Sequence, residues 1–409
     1  MNVAIHPSST LETAAAGRTN PLSMNLPPYF TIPADSGLVS GEQPCLKPKK
    51  HLMDIIELVA ARYGPHHGLR VLAGNVIGAG GWSRLPTKRQ HDYVNARAGA
   101  FIASGMMYLE VSGPQALDVL DHLTPRNLRS LKTGRAAFTL FTTPTGTVDE
   151  EALVLRVEEN RYLVSCGGGA PPSHLHEALE RFPDARVVDS DVVSFNIKGP
   201  DRIAVMRDLV CAADRAAVDA LKPFQACRCR TNAGDDVTVV RSVIGMEMWG
   251  MPGAITAVWT AMLDMPDRVL PCGWDLLDTY RIECTDIDFL LHPLDMNYGT
   301  TLAEIGLGWM VDPAKTADYV GREALREPAA GPRIKVRKLA VAGDRSSRPR
   351  IGEAVQDADG RIRGHVSSCG YSYAADRHVA FVHLADDGSD GPLELKGWTS
   401  FQPGVRAAG

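Results

Sequence analysis

Two stretches far apart in the chain share one plan: LEVSGPQALDVLDHL, from Leu109 to Leu123, and FNIKGPDRIAVMRDL, from Phe195 to Leu209. Each reads as an alternating strand, then Gly-Pro, then an amphipathic helix. Proline suits the first helical turn, where its missing N–H would be unpaired anyway. Leu117, Leu120 and Leu123 form one apolar stripe; Ile203, Met206 and Leu209 form the other. A repeated strand–helix unit predicts a pseudo-duplicated α+β body.

The segments around the repeat fit that body. AAFTLFT, EALVLRV, RYLVSC and DVTVVRSV read as further strands. HLMDIIELVAARYG reads as a helix that Gly64 stops. After about Arg333 the pattern turns to short strands between Gly/Asp turns, as in a small barrel or sandwich. Residues 1–50 show no period and read as an extended arm. GNVIGAGGW (Gly74 to Trp82) lacks the spacing of a dinucleotide fingerprint and reads as a glycine-rich turn beside a cavity.

Charge and composition narrow the partners. The 409 residues are 44% hydrophobic with a net charge of -5, so nothing marks a nucleic-acid or anionic-membrane surface. No apolar run has the roughly 18 residues of a membrane span, and the N-terminus lacks the pattern of a signal peptide. The expectation is a cytoplasmic protein acting on a small molecule, its oligomeric state unspecified. The eight cysteines are scattered. Only Cys227 and Cys229 are close, and they read as small buried hydrophobes rather than metal ligands. The histidines show no metal spacing, so no metal site is expected.

In order, the Gly-Pro units, the Glu304 to Leu325 stretch EIGLGWMVDPAKTADYVGREAL and the all-β tail resemble the glycine-cleavage aminomethyltransferase (T-protein) superfamily, over about Trp82 to Leu384. HDYVNARAGAFIASGMMYLEVSG resembles its opening helix and strand. LKTGRAAFTLFTTPTGTVDEEALVLRVEENRYLVSC resembles the hairpin around its folate pocket, VDALKPF a linker, and PCGWDLLDTYRIEC its Arg-Asp-x-x-Arg helix. The resemblance implies an α+β, three-lobed ring (cloverleaf): a first α+β domain of residues 51–106 and 190–286, a second of 107–189 and 287–330, and a C-terminal β-barrel-like domain of 331–409. It implies tetrahydrofolate as cofactor. The Glu304 to Leu325 stretch would pack a lobe against the β-tail.

GMEMWG (Gly245 to Gly250) and GYSY (Gly370 to Tyr373) are similar to tetrahydrofolate-dependent aromatic O-demethylases acting on vanillate or syringate. The first expectation is therefore a demethylase passing a methyl group to tetrahydrofolate. The alternatives are a biosynthetic methyl or methylene transferase, an aminomethyltransferase, and a non-enzymatic folate-binding accessory protein; the cysteine of the last kind is missing from ADYVGREA. The chain departs from the family's pattern at Ile102, Ser104, Gly105 and Leu277, and Glu150-Glu151 stands for Asp-Asp.

The resemblance places the pterin-binding carboxylate at Glu247, with Phe138, Trp249 and Ser165 around the cofactor. A carboxylate accepts two neighbouring N–H donors of a pteridine at once. An outward-facing strand carboxylate, or an ion pair of Glu247 with Arg241, is the other reading. Glu151 aligns with the acid near the reactive nitrogen; a solvated turn of three acids is the alternative. Tyr373 is assigned to proton donation and Tyr371 and Trp82 to the substrate, with ordinary packing as the rival.

Overall fold

The computed structural model describes strands 29–32, 393–396 and 405–408, and residues 49–386 apart from 73–74, 104, 243–244, 285–289, 298, 327–332, 342–345 and 347. Ser104 and nearly all of the expected N-terminal arm therefore lie outside the described residues. One piece of the arm, β1 (Tyr29–Ile32), pairs antiparallel with β2 (Leu69–Leu72), which pairs with β3 (Asn75–Ala79).

The main sheet has eleven strands. In chain order they are β4 (Gly99–Ile102), β5 (Met107–Ser112), β6 (Arg135–Thr142), β7 (Val148–Glu158), β8 (Arg161–Cys166), β9 (Arg186–Asp189), β10 (Val193–Lys198), β11 (Gln225–Arg230), β12 (Asp236–Arg241), β13 (Met246–Gly250) and β14 (Leu270–Cys272). Their order across the sheet is β14-β4-β10-β13-β12-β11-β6-β7-β8-β5-β9. Only β14 and β4 run parallel, so the sheet is mixed and no doubly wound parallel sheet exists among these strands. Two halves meet at a narrow seam. There β11 pairs with β6 only through Gln225 and Arg135, and Phe224, at φ 60, accepts from the Ala136 amide.

Each half contains one Gly-Pro unit. In one, β5 leads to the helix Ala116–His122; in the other, β10 leads to the helix Arg202–Leu209. The prolines stand in the turns two residues ahead of the helices, one step earlier than the sequence pattern placed them. The glycines are required twice over. Gly113 and Gly199 sit at φ 109 and 100, where a side chain is strained. A Cβ would also strike the Asp184 carbonyl in one unit and those of Val94 and Arg97 in the other.

Each half buries its own core. Ile55, Ile56, Phe195, Met206 and Trp259 belong to one; Val119, Leu120, Tyr162 and Val164 belong to the other. Lys50–Tyr63 is helical and Gly64, at φ 78, ends it. The tail strands are β15 (Ile334–Val341), β16 (Ala354–Asp357), β17 (Ile362–Ser372), β18 (Arg377–Ala385), β19 (Leu393–Lys396) and β20 (Val405–Ala408). They pair antiparallel in the order β15-β18-β17-β16-β19-β20, and β20 returns to β15. The α+β class read from the sequence is the class observed. No described helix is long and apolar enough to cross a membrane.

The Glu304 to Leu325 stretch lies against both neighbours. Ile305 and Met310 share a core with Leu140 and with Phe381 of the tail. Buried Lys315 reaches back to Asp121 at 3.0 Å and to three backbone carbonyls.

Candidate functional site

Strand registers decide which side chains share a face, because directly paired residues point the same way. Phe138 stands across from Leu153, Leu140 from Glu151, and Leu153 from Ser165. Ser165 in turn pairs with Tyr108. Phe138, Glu151, Ser165 and Tyr108 therefore lie on one face of one half-sheet. Tyr108 carries this face to the other half. Its ring meets Trp249 edge-on at 5.2 Å, and its hydroxyl bonds Ser194 at 2.5 Å.

Beyond Trp249 the register continues through Glu247, which pairs with Asn196 of β10. Glu247 is partly buried and makes no ion pair with Arg241, whose guanidinium instead donates to the Leu221 carbonyl. Its Oε2 accepts from the Trp249 indole at 2.9 Å and its Oε1 from Asn196 Nδ2 at 3.3 Å. Burial pushes the Glu247 carboxyl up; Trp249, Lys198, Ser242 and Asn196 oppose it. Lys198 is buried, with its ammonium 5.0 Å from the Tyr280 ring centre and 5.7 Å from that of Phe101. Burial lowers its pKa to about 8, against the pull of Glu247.

One atom in this cradle is exceptional. The Oδ1 of Asn196 is buried and has no hydrogen-bond partner among the described residues. A buried acceptor left alone costs about 1–3 kcal/mol. Beside it, a Cβ on Gly245 would collide with Asn196, so the backbone comes as close as glycine permits. A carboxylate and an orphaned amide oxygen together form an acceptor-rich edge, able to take up N–H donors of a ligand.

The acids of β7 are the second feature. Asp149, Glu150 and Glu151 are all buried, so the solvated turn of acids is ruled out. A register shift puts Glu150 opposite Phe141 and Val148 opposite Thr142, and interrupts the regular pairing at Asp149. Asp149 accepts from the Ser173 amide at 2.6 Å. Glu150 accepts from the Gly168 and Glu151 amides at 2.8 and 2.9 Å and lies 3.6 Å from His292 Nδ1. The loop over the acids must be glycine. A Cβ on Gly167 would lie 2.7 Å from Glu151 Cδ, and one on Gly168 2.7 Å from Glu150 Oε2. Burial raises both glutamates to about 8. For Glu151 the His292 amide and Arg281 oppose the rise. Burial also lowers His292 to about 4.

Arg281, which the sequence retains, anchors the tail. It bonds Asp295 at 2.8 Å, and Asp295 accepts from Ser367 at 2.5 Å and Ser368 at 2.6 Å in β17. Leu277 lines a void of about 10 Å³ with Trp82, Phe101, Cys272 and Trp274. That space is at the lower limit for one water. Trp82 is a core residue with 1% of its surface exposed, on the wall of that small void.

The two tyrosines form a different cluster. Tyr371 bonds Asp376 and lies 5.3 Å from Tyr373. Tyr373 faces His91 at 5.0 Å and Lys88 at 5.8 Å. Nearby, Glu283 bridges His91 and Ser372 at 2.7 and 2.8 Å. These contacts tie the pair to the helices Thr87–Ala96 and Trp274–Glu283. Sequence reasoning had assembled Glu247, Trp249, Ser165, Phe138 and Glu151. It missed Asn196, Lys198, Tyr108, His292 and Glu150. The available signal was FNIK, two polar residues in a strand that is buried on both faces.

The chain is 27% identical over 333 residues to the aminomethyltransferase of Symbiobacterium thermophilum, covering 76% of this chain and 86% of that protein. It is 29% identical to the aminomethyltransferase of Streptomyces coelicolor, covering 77% and 87%. The crystal structure of glycine cleavage system aminomethyltransferase T from Bartonella henselae superposes with a TM-score of 0.73 at 22% identity, over 88% of this chain and 96% of that one; it shares the fold. Aminomethyltransferases of this kind use tetrahydrofolate as the one-carbon acceptor. The profile described as GCVT N-terminal domain matches residues 79–315, more than half of the chain, and the chain belongs to that family.

Proposed function

We propose that this protein is a tetrahydrofolate-dependent one-carbon transferase. The observation that carries the reading is the paired acceptor edge of Glu247 and Asn196, whose Oδ1 lacks a donor. Glu247 and Asn196 would hold the pterin, with Trp249, Tyr108, Ser165 and Phe138 around it. When bound, tetrahydrofolate supplies the nitrogen nucleophile that accepts the one-carbon unit. Glu151 holds a carboxyl poised near neutral pH, suited to taking up a proton in a site that excludes water. The same reading sets the cofactor in the hole of a three-lobed ring, divided as 51–106 with 190–286, 107–189 with 287–330, and 331–409. The separate cores of the two half-sheets and of the tail support that division.

The relatives' names favour an aminomethyl donor. A second reading, demethylation of a methoxylated aromatic, draws on the GMEMWG and GYSY stretches and on the hydroxyl-bearing pair Tyr371 and Tyr373. Product analysis separates them. An aminomethyl donor gives methylenetetrahydrofolate and ammonia; a methoxylated aromatic gives methyltetrahydrofolate and a phenol.

Calorimetry tests the shared core of both. Removing one partner of a buried, hydrogen-bonded charge costs roughly 2–5 kcal/mol. Glu247→Ala should therefore weaken tetrahydrofolate binding more than tenfold. Equal affinity for the variant and the wild type rejects the assignment.

A further inference from the structure

Cys227 and Cys229 stand one residue apart on β11, so their side chains share a face of the strand. The two sulfurs are 3.3 Å apart and share a hydrogen bond. Cys229 is buried in the core and Cys227 is partly exposed. From Ala226 onward no register pair joins β11 to β6, although the Ala226 amide still donates to the Gly134 carbonyl. The strand carrying the sulfurs is paired along its length with β12, while on its other edge Arg230 and Thr231 meet Asp214, Cys211 and Val210.

We propose that Cys227 and Cys229 form an oxidation site that closes to a disulfide within β11. With a peroxide as oxidant, the Cys227 thiolate attacks one oxygen. An S–O bond forms, the O–O bond breaks, and hydroxide leaves. The Cys229 sulfur then attacks the sulfenic sulfur, S–S forms, S–O breaks, and water leaves. Two thiols lose two electrons and one peroxide becomes two waters.

The geometry favours Cys227 as the first nucleophile, since solvent reaches it first. The shared hydrogen bond also lowers its pKa and raises that of Cys229. Asp214 works against both thiolates. It is held by a hydrogen bond from Cys211 at 3.1 Å. Strand rise separates the two Cα atoms by roughly 6.6–6.8 Å. That is the far end of the roughly 4.4–6.8 Å that disulfides span. A strained bridge is more easily reduced, so the modification is reversible. Ala226 lies between this pair and the seam and packs against the Tyr108–Trp249 cluster, which places the site beneath the pterin cradle.

The test uses the full chain, treated with hydrogen peroxide, alkylated with N-ethylmaleimide and digested with Glu-C, which spares Arg228. The expected peptide, Arg181–Glu247, also holds Cys211, so it carries one maleimide, on Cys211, none on Cys227 or Cys229, and is lighter by two hydrogens. Dithiothreitol restores two labels. Cys227 should react at least tenfold faster than Cys284, a partly exposed lone thiol. In Cys229→Ser the maleimide-blocked product at Cys227 should become a sulfenic acid trapped by dimedone. Sulfinic acid on Cys227 in the wild type, a Cys211–Cys227 bridge, or oxidation no faster than at Cys284 would each overturn the proposal.

Discussion

The two halves of the main sheet hold their carboxylates differently. In the β10–β13 half, Glu247 is surrounded by groups that favour the charged form: an indole N–H, an amide, a hydroxyl and a buried ammonium. In the β6–β8 half, Glu150 and Glu151 sit under a glycine loop beside His292, and burial lifts both to about 8. One environment suits a fixed acceptor; the other suits a group that changes protonation near neutral pH. The Gly-Pro units show the same divergence at equivalent positions. Counting back from glycine, Tyr108 matches Ser194, and these two bond each other across the halves. Glu110 matches Asn196. Glu110 pairs with Arg161 at 2.7 Å where both are partly exposed, whereas Asn196 faces the cradle. β10 is buried along its whole length whereas β5 alternates buried and partly exposed positions, so the position equivalent to Asn196 reaches solvent on β5.

The sharpest way to break this contrast is to remove the titratable carboxyls from the acids of β7. General-base help is worth roughly 10²–10⁴ in rate. Glu151→Gln should lower turnover by about that range and leave tetrahydrofolate affinity within a few-fold. Glu150→Gln serves as comparison. Because Glu150 is also buried and also pushed to about 8, it is expected to lower turnover less, through its contacts with Gly168 and His292. Wild-type turnover in both variants ends the assignment.

The same acids make stability depend on pH. Their folded-state pKa is raised from 4.5 to about 8. Their contribution is therefore full below about 4.5 and is lost as pH rises through about 8. His292 runs the other way: lowered from 6.5 to about 4, it stabilises above 6.5 and is lost as pH falls through about 4. Between pH 6.5 and 8 only the glutamates act. Chemical denaturation there should show wild type losing on the order of a few kcal/mol relative to the Glu150→Gln, Glu151→Gln double variant. Parallel curves for the two proteins would mean that the acids are solvated after all.

Lys198 tests the other half. Lys198→Met keeps the length and removes the ammonium, so the Glu247 carboxyl should rise further. Tetrahydrofolate affinity at pH 7 should fall about tenfold and recover in part as pH is raised and more of Glu247 ionises. A loss independent of pH would point to packing against Tyr280 and Phe101 rather than to charge.

These contrasts explain what the sequence made visible. The Gly-Pro units, the helix before Gly64 and the tail strands depend on local period and turn chemistry, which are written in adjacent residues. The burial of Asp149, Glu150 and Glu151 depends on the Gly167-Gly168 loop and on His292, more than a hundred residues further on. Three acids in a row look solvated until that cover is known. FNIK alternates polar and apolar as a half-exposed strand does, yet β4 and β13 flank it and its polar face turns into the site. The motif assigned Tyr371 to the substrate and Tyr373 to proton donation, while their place in the structure is set by two helices distant in the chain.

The smallest effect concerns the counterpart of Asn196. Glu110 and Arg161 form an ion pair with side chains 26% and 37% exposed. Water screens such pairs and both side chains lose freedom in making them, so each contributes roughly 0–1 kcal/mol. Glu110→Ala should shift unfolding free energy by no more than about that, with the difference fading in high salt. Its tetrahydrofolate affinity should stay within about twofold of wild type. Asn196→Ala at the equivalent place removes both the donor to Glu247 and the orphaned acceptor. It should weaken binding by about tenfold, the cost of losing a hydrogen bond to a charged group. Titrating both variants side by side measures the asymmetry directly. If Glu110→Ala weakens binding as much as Asn196→Ala, the cofactor contacts both halves through their repeated strands, and the division between a binding half and a proton-handling half is wrong.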